Sequence, residues 1–142
     1  MLVSTKGRYA IRVMIDLAEQ DPTEYIPLMD IAERQDISEK YLESIMSLLS
    51  KAGLVLSLRG KGGGYRLAES PDKCTVMSVL ECTEGSMAPV ACLENGAKDC
   101  PRMEGCKTVE MWSDLYKMIR TYFEGITIAD LVDRGDRGDY VI

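Results

Sequence analysis

A loop of glycines and cations between two short apolar runs constrains the fold of this chain more than any other feature. The stretch SLRGKGGGYRL (57–67) contains four glycines and three cations. Its flanking runs, 54–58 and 65–67, are rich in strand-forming residues, which is typical of a β-hairpin. A phosphate-binding loop requires a helix directly after the glycines and a Walker ending, and the sequence has neither. The stretch therefore predicts a two-stranded ribbon with a basic tip.

Three helices are predicted before this ribbon, because apolar residues recur there at helical spacing. The predicted ranges are 6–19, 27–36 and 40–52. Pro22 follows the end of the first helix, Ser38 is a suitable N-cap for the third, and Gly53 is a suitable stop. A short helix, a turn, a longer helix and a ribbon in this order predict a winged helix-turn-helix. The expected fold class is mainly α with a small β wing.

The third helix and the tip of the wing carry the residues expected to bind DNA. Polar residues line one face of this helix, and glycines in the tip let the backbone approach a duplex while the cations bind phosphates or the narrow minor groove. A solvated turn is the alternative for the tip considered by itself. The candidate DNA-binding residues are Ser38, Lys40, Tyr41, Glu43, Ser44, Ser47, Arg59, Lys61, Gly62 and Gly63.

The net charge of −6 by itself argues against a nucleic-acid partner, but the distribution of the charges is compatible with DNA binding. Residues 1–68 carry nine cations and nine acids, whereas residues 69–142 carry eight and fourteen. Residues 1–12 contain three cations and no acid, and residues 38–66 contain five cations and two acids. Two basic segments on an acidic body indicate a local anion-binding face, and a mixed solvated surface is the other interpretation.

The second half of the chain is predicted to hold a sensor loop and an oligomerisation helix. A short helix over 75–83 ends at Gly85, and an irregular segment follows. A long helix over 108–125 has one broad apolar side, which predicts either a core-packing role or a subunit interface, since helix-turn-helix proteins commonly bind DNA as dimers. The predicted division is a DNA-binding domain (1–85), a sensor loop (86–107), a dimerisation helix with a terminal short helix (108–133) and a charged tail (134–142).

Three cysteines lie in the irregular segment ACLENGAKDCPRMEGCK (91–107). Cys92, Cys100 and Cys106 have the spacing C-x7-C-x5-C, with glycine and proline between them. Three thiolates in such a loop suit a soft metal ion or an iron-sulfur cluster, whereas three incidental thiols are the alternative. Cys82 is predicted to be a core residue, and the sequence indicates no role for Cys74.

Several motifs in the same order resemble a family of bacterial regulators. They are STKGRYAIRVMIDLA (4–18), ISEKYLESIMSLLSKAGLV (37–55), RGKGGGYRLA (59–68), the three-cysteine loop and ITIADLVD (126–133). The family contains the iron-sulfur cluster regulator, the nitric-oxide-sensing repressor and the cysteine-metabolism repressor. The resemblance implies a homodimeric repressor or activator in which the helix after Ser38 reads the major groove, the wing at Arg59 enters the minor groove and the helix after Cys106 forms the dimer. It also implies that Glu43 is a candidate for discriminating between operators, and an ordinary exposed acid on the helix is the alternative.

The sequence departs from this family at the fourth cluster ligand. The iron-sulfur cluster regulator has a histidine where this chain has Val109, and the chain contains no histidine. The nitric-oxide sensor uses an aspartate from the partner's first helix, and the matching residue here is Arg8. Asp99, Glu104, Glu110, a solvent molecule or a small thiol remain as alternatives.

Two functional hypotheses follow. In the first, the protein is a DNA-binding regulator whose operator affinity responds to a two-iron or four-iron cluster on Cys92, Cys100 and Cys106. In the second, it is a cofactor-free regulator of cysteine or sulfur metabolism, controlled by thiol oxidation or by a small-molecule or protein effector.

An enzyme is not expected, because no general base or activated nucleophile is evident. The absence of a signal peptide and of an apolar run long enough for a membrane span predicts a cytoplasmic protein with reduced thiols.

Overall fold

A computed structural model describes residues 3–94 and 104–135 of the chain. Within these ranges it contains α1 (Thr5–Ala18), α2 (Leu28–Gln35), α3 (Glu39–Lys51), β1 (Val55–Leu58), β2 (Gly64–Leu67), α4 (Val76–Glu84), α5 (Val109–Glu124) and α6 (Ile128–Gly135). No helix in the described ranges has the length and apolar character needed to span a membrane. The expected architecture, mainly helical with a two-stranded wing, is confirmed.

Local capping sets the helix boundaries. The Ser4 hydroxyl accepts a hydrogen bond from the amide of Gly7 at 3.1 Å, so Ser4 is the N-cap of α1. The Ser38 hydroxyl accepts one from the amide of Tyr41 at 3.2 Å, which confirms the predicted N-cap of α3. Between these helices, α2 ends where Asp36 adopts a left-handed conformation with φ of 53°.

The first three helices pack around one apolar core. The inward residues of α3 are completely buried and belong to the same cluster as the buried side chains of α1 and α2. These core residues are Leu42, Ile45, Met46 and Leu49 of α3, Val13 and Met14 of α1, and Ile31 of α2. Val79 of α4 and Ile128 of α6 complete this core, so the last helix packs on the winged-helix body.

The wing is an antiparallel ribbon attached to the segment that precedes α2. Its register runs from the pair Val55 and Leu67 to the pair Leu58 and Gly64. The amide of Ile26 donates to the carbonyl of Tyr65 at 2.8 Å, and the amide of Tyr65 donates to the carbonyl of Ile26 at 2.9 Å. These two hydrogen bonds fix the base of the wing relative to the helix-turn-helix.

A second apolar cluster joins α4 to α5. Met77, Leu80 and Met87 are buried there, and Ile119 and Phe123 of α5 pack against them. The chain then returns to the first core, where the amide of Ile128 donates to the carbonyl of Cys74 at 2.9 Å. The long helix is thereby attached to the winged-helix body through one of its sides.

Candidate nucleic-acid interface and cysteine site

The outward face of α3 is polar and accessible to solvent. Ser38, Lys40, Glu43 and Ser47 are exposed, because the leucines and isoleucine of the same helix occupy the opposite, buried side. Tyr41 and Ser44 are half-buried, and the Ser44 hydroxyl donates to the carbonyl of Tyr41 at 2.6 Å. The four exposed residues therefore form the accessible part of the predicted recognition surface.

The ring of Tyr41 lies against α1. It makes an edge-to-face contact with Tyr9 at a centroid distance of 6.0 Å, and the ammonium of Lys6 lies 5.9 Å from its centroid. The structure thus brings the basic start of α1 beside the first turn of α3. Lys6 and Tyr9 were not among the predicted site residues, although the acid-free run of cations over residues 1–12 indicated this face.

Arg12 connects α1 to the end of α2. Its guanidinium stacks on the Tyr9 ring at 4.7 Å and donates to the carbonyl of Gln35 at 2.8 Å. The amide group of Gln35 in turn donates to the carboxylate of Asp16 at 2.8 Å. This chain of contacts fixes the angle between α1 and the helix-turn-helix pair.

The tip of the wing presents cations on a tight turn. Arg59 and Lys61 are exposed, and among the described residues neither forms an ion pair. Gly62 has φ of 78°, which favours glycine, and a Cβ on Gly63 would collide with the carbonyl oxygen of Leu58. Gly63 is therefore required by the turn itself, while the two cations are available for phosphates.

Cys106 lies just before α5 and has the chemistry of a soft-metal ligand. Its sulfur is 3.5 Å from the Thr108 hydroxyl. Hydrogen bonds from that hydroxyl, then from the amides of Thr108 and Val109, hold the pKa of the thiol below its usual value. These bonds favour the thiolate, which is the form that binds iron-sulfur clusters.

Cys92 lies in the turn Ala91–Leu93 and is partly exposed, as Cys106 is. Cys100 and Asp99 lie outside the described residues, so the structure describes Cys92 and Cys106 of the three predicted cluster ligands. Over 3–94 and 104–135, no three His, Cys, Asp or Glu side chains are close enough to hold a metal ion. Among the alternatives for a fourth ligand, Glu104 and Glu110 are exposed on either side of Cys106. The donor chemistry of the two described cysteines fits a cluster.

The other two cysteines contact the interior. Cys74 is buried in the first core, and Cys82 packs against that core and donates to the carbonyl of Leu48 at 3.1 Å. Burial raises the pKa of both thiols. Neutral, enclosed thiols are poor metal ligands, so these two differ from Cys106 in their chemistry.

Comparison with known proteins gives consistent matches over nearly the whole chain. The Rrf2 family model, described as an iron-dependent transcriptional regulator, matches residues 3–134. The HTH-type transcriptional regulator IscR of Aliivibrio salmonicida is 41% identical over 132 residues, covering 93% of this chain and 77% of that protein.

Two solved structures share the fold at 34% identity. CymR (YrzC), the global cysteine regulator of B. subtilis, superimposes with a TM-score of 0.77 over 94% of this chain and 98% of its own. IscR of T. potens superimposes with a TM-score of 0.74 over 100% of this chain and 93% of its own.

Proposed function

Because the chain belongs to the Rrf2 family of iron-dependent transcriptional regulators, we propose that it binds an operator with α3 and the wing, and that an iron-sulfur cluster sets its operator affinity. The family membership confirms the resemblance expected from the sequence, and the protein is a DNA-binding transcriptional regulator and not an enzyme. The observation that carries the operator proposal is the exposed polar face of α3 beside a wing whose two tip cations form no ion pair within the described part of the chain. We place this activity in the cytoplasm.

On DNA, the two elements have different tasks. The exposed side of α3 enters the major groove, where Glu43 accepts a hydrogen bond from a cytosine amino group and Lys40 and Ser47 contact base edges or phosphates. Arg59 and Lys61 bind phosphates or the minor groove from the wing. Glu43 is the residue on which operator choice depends, because a carboxylate facing guanine or thymine meets no amino donor in the major groove and is left without a partner.

The second face of α5 supports a homodimer. Met111, Leu115, Met118 and Tyr122 recur at helical spacing with exposures of 53%, 38%, 69% and 62%. Their large side chains point away from the cluster that packs on α4. A second copy of the chain laying its own α5 on this seam would bury both stripes and place two recognition helices on paired half-sites.

For the cofactor, we propose that Cys92, Cys100 and Cys106 hold an iron-sulfur cluster with a fourth ligand supplied by Glu104, Glu110, Asp99 or a non-protein molecule. The cluster supplies reversible redox chemistry and ligand exchange at iron. The hydrogen bonds on Cys106 stabilise its thiolate, and the similarity to IscR proteins supports the assignment.

A cofactor-free regulator is the second candidate. The similarity to CymR, the global cysteine regulator of B. subtilis, supports it. The same lowered pKa that makes Cys106 a good ligand makes its thiolate reactive toward oxidants. In that case Cys106 is the sensing thiol.

The visible absorption spectrum separates the two candidates. We would purify the protein without oxygen and measure its spectrum, iron and acid-labile sulfide beside a variant with Cys92, Cys100 and Cys106 replaced by Ala. A coloured wild type with iron and sulfide, and a colourless variant, are expected for a cluster sensor. A colourless wild type that binds DNA would instead favour thiol or effector control.

The wing assignment is tested by the salt dependence of operator binding. Replacing Arg59 with Ala removes one phosphate contact per subunit, so the slope of log K against log salt should become shallower by about 1.8 per dimer. Lys117→Ala removes an exposed cation from α5 and should leave the slope unchanged. An equal slope for Arg59→Ala and the wild type would contradict the assignment.

A further inference from the structure

A cavity of about 550 Å³ opens between the end of α1, the segment 20–26 and the outer face of the wing. Its volume lies within the roughly 300–1,000 Å³ that is usual for small-molecule sites. None of the residues proposed to bind DNA or a cluster lines it. The cavity is therefore separate from the site described above.

The walls of the cavity are mainly apolar. Leu17 and Ile26 are nearly completely buried where they line it, and Leu56 contributes from β1 with 42% of its surface exposed. Leu56 lies opposite Arg66 in the ribbon, on the face that does not pack on the core. Leu56 therefore extends the apolar wall of the cavity to its mouth.

The charged groups around the cavity are predominantly acidic. Asp21, Glu24 and Glu69 line it, and no lysine or arginine in the described part of the chain forms an ion pair with any of them. Among the lining residues Arg66 is the cation that opposes them. Three carboxylates and one guanidinium leave an excess of negative charge at an apolar opening.

Arg66 is already engaged by other groups. Its guanidinium lies 4.6 Å from the centroid of the Tyr25 ring and donates to the carbonyl of Thr23 at 3.4 Å. One oxygen of Asp21 accepts from the amide and hydroxyl of Thr23 at 2.8 and 2.7 Å, and its second oxygen accepts no hydrogen bond from the residues that the structure describes. The carboxylates are thus available to a ligand, while the guanidinium is held on the aromatic ring.

We propose that this cavity binds a small organic cation, namely a protonated amine carrying an apolar body. The amine contacts the carboxylates at the rim, and the apolar body covers Leu17, Ile26 and Leu56. A molecule of the same shape with a carboxylate in place of the amine meets the excess negative charge and is rejected.

The proposal is tested with 4-phenylbutylamine and 4-phenylbutyrate, which differ in the charge of one end. Each is titrated into the ¹⁵N-labelled full chain without DNA, so the result does not depend on operator binding. Saturable shifts of the amides of residues 17–21, 23–26, 56 and 66–70 are expected with the amine and not with the acid. No saturable shift with the amine up to about 5 mM, or equal shifts with both compounds, would overturn the proposal.

A pair of double variants tests the charges. Glu24→Gln with Glu69→Gln should weaken binding of 4-phenylbutylamine about fivefold, since two exposed carboxylates are lost from the rim. Glu33→Gln with Asp133→Asn removes the same charge from exposed positions outside the cavity and should leave the affinity unchanged. Equal weakening in both would show general attraction to an acidic protein and would count against a site.

Discussion

Asp16 is the one buried charged residue among those described, with 4% of its surface exposed. Its carboxylate accepts from the guanidinium of Arg34 at 2.7 and 3.0 Å and from the amide of Gln35 at 2.8 Å. All its partners belong to the last turn of α2. The residue therefore holds α1 against the first helix of the DNA-binding pair.

Replacing Asp16 with Ala should lower the free energy of unfolding by about 2–3 kcal/mol, because the partners lose a buried acceptor while Arg34 keeps partial contact with water. Urea denaturation followed by circular dichroism measures this change. Asp133→Ala, an exposed position on α6, should change it by less than about 0.5 kcal/mol. Equal values for the two variants would contradict the role given to Asp16.

Gly64 is a second residue with a specific requirement. Its φ is 150°, and a Cβ there would collide with the carbonyl of Ile26 that pairs with the wing. Gly64→Ala should cost about 1–3 kcal/mol and accelerate amide hydrogen exchange at Ile26 and Tyr65. Gly60→Ala also places alanine at positive φ, but in open space, and should leave exchange at those two amides slow.

At the scale of elements, α6 begins with a reciprocal cap. The amide of Thr127 donates to the carboxylate of Asp130 at 2.9 Å, and the amide of Asp130 donates to the Thr127 hydroxyl at 3.1 Å. The bond from the Thr127 amide, then the Thr127 side chain and the charge of Arg134, hold the pKa of Asp130 below its usual value. The cap positions Ile128 for burial in the first core.

The cap predicts a specific dependence of stability on pH. A carboxylate whose pKa is lower in the folded state than in the unfolded state stabilises the fold at pH values above its unfolded pKa, which is about 3.9. This stabilisation is lost as the pH falls through the pKa of the folded state. The melting temperature of the wild type should therefore fall more between pH 5.5 and pH 3 than that of Asp130→Asn. Asp133→Asn, with the same charge change on the same helix, should follow the wild type.

Helix ends were predictable from the sequence where they depend on neighbours in the chain. Ser38 caps α3 and Gly85 ends α4 as expected, because a hydroxyl and a positive φ act within one turn. The pairing of Ile26 with Tyr65 and the burial of Ile128 were not predicted. Both contacts join residues far apart in sequence, and their local apolar pattern does not specify the partner.

At the scale of the whole molecule, α5 shows how one apolar pattern in the sequence can contain two separate apolar surfaces. The sequence indicated one broad apolar side, and the structure separates Ile119 and Phe123, which pack on α4, from the exposed seam of Met111, Leu115, Met118 and Tyr122. The choice between core packing and subunit contact was not decidable from periodicity, because both surfaces select the same residue types.

Met118→Glu should convert a dimer into a monomer, since a carboxylate at the most exposed position of the seam would be buried against a second apolar seam. Sedimentation velocity at micromolar concentration measures the change in mass. Lys117→Glu places a carboxylate on the adjoining polar side of the same helix and should remain dimeric. A dimeric Met118→Glu protein would place the subunit interface elsewhere.

The candidate site was predictable to different degrees in its two parts. The exposed face of α3 and the wing tip follow from binary patterning and turn chemistry, which are local. The contact of Lys6 with Tyr41 joins two helices. In the sequence, only the acid-free run of cations over residues 1–12 indicated it. The role of Thr108 beside Cys106 depends on backbone geometry at the start of α5, which cysteine spacing does not contain.

The wing also bears on how the protein behaves at high concentration. Among the described residues β1 pairs with β2 alone, and its outward leucines, Leu56 and Leu58, are 42% and 49% exposed. An apolar strand with a free edge is a template for adding strands from other molecules. Arg59 directly follows this strand and places a charge where such stacking would begin. The residue that we expect to hold DNA therefore also opposes aggregation, and Arg59→Lys should preserve solubility where Arg59→Ala does not.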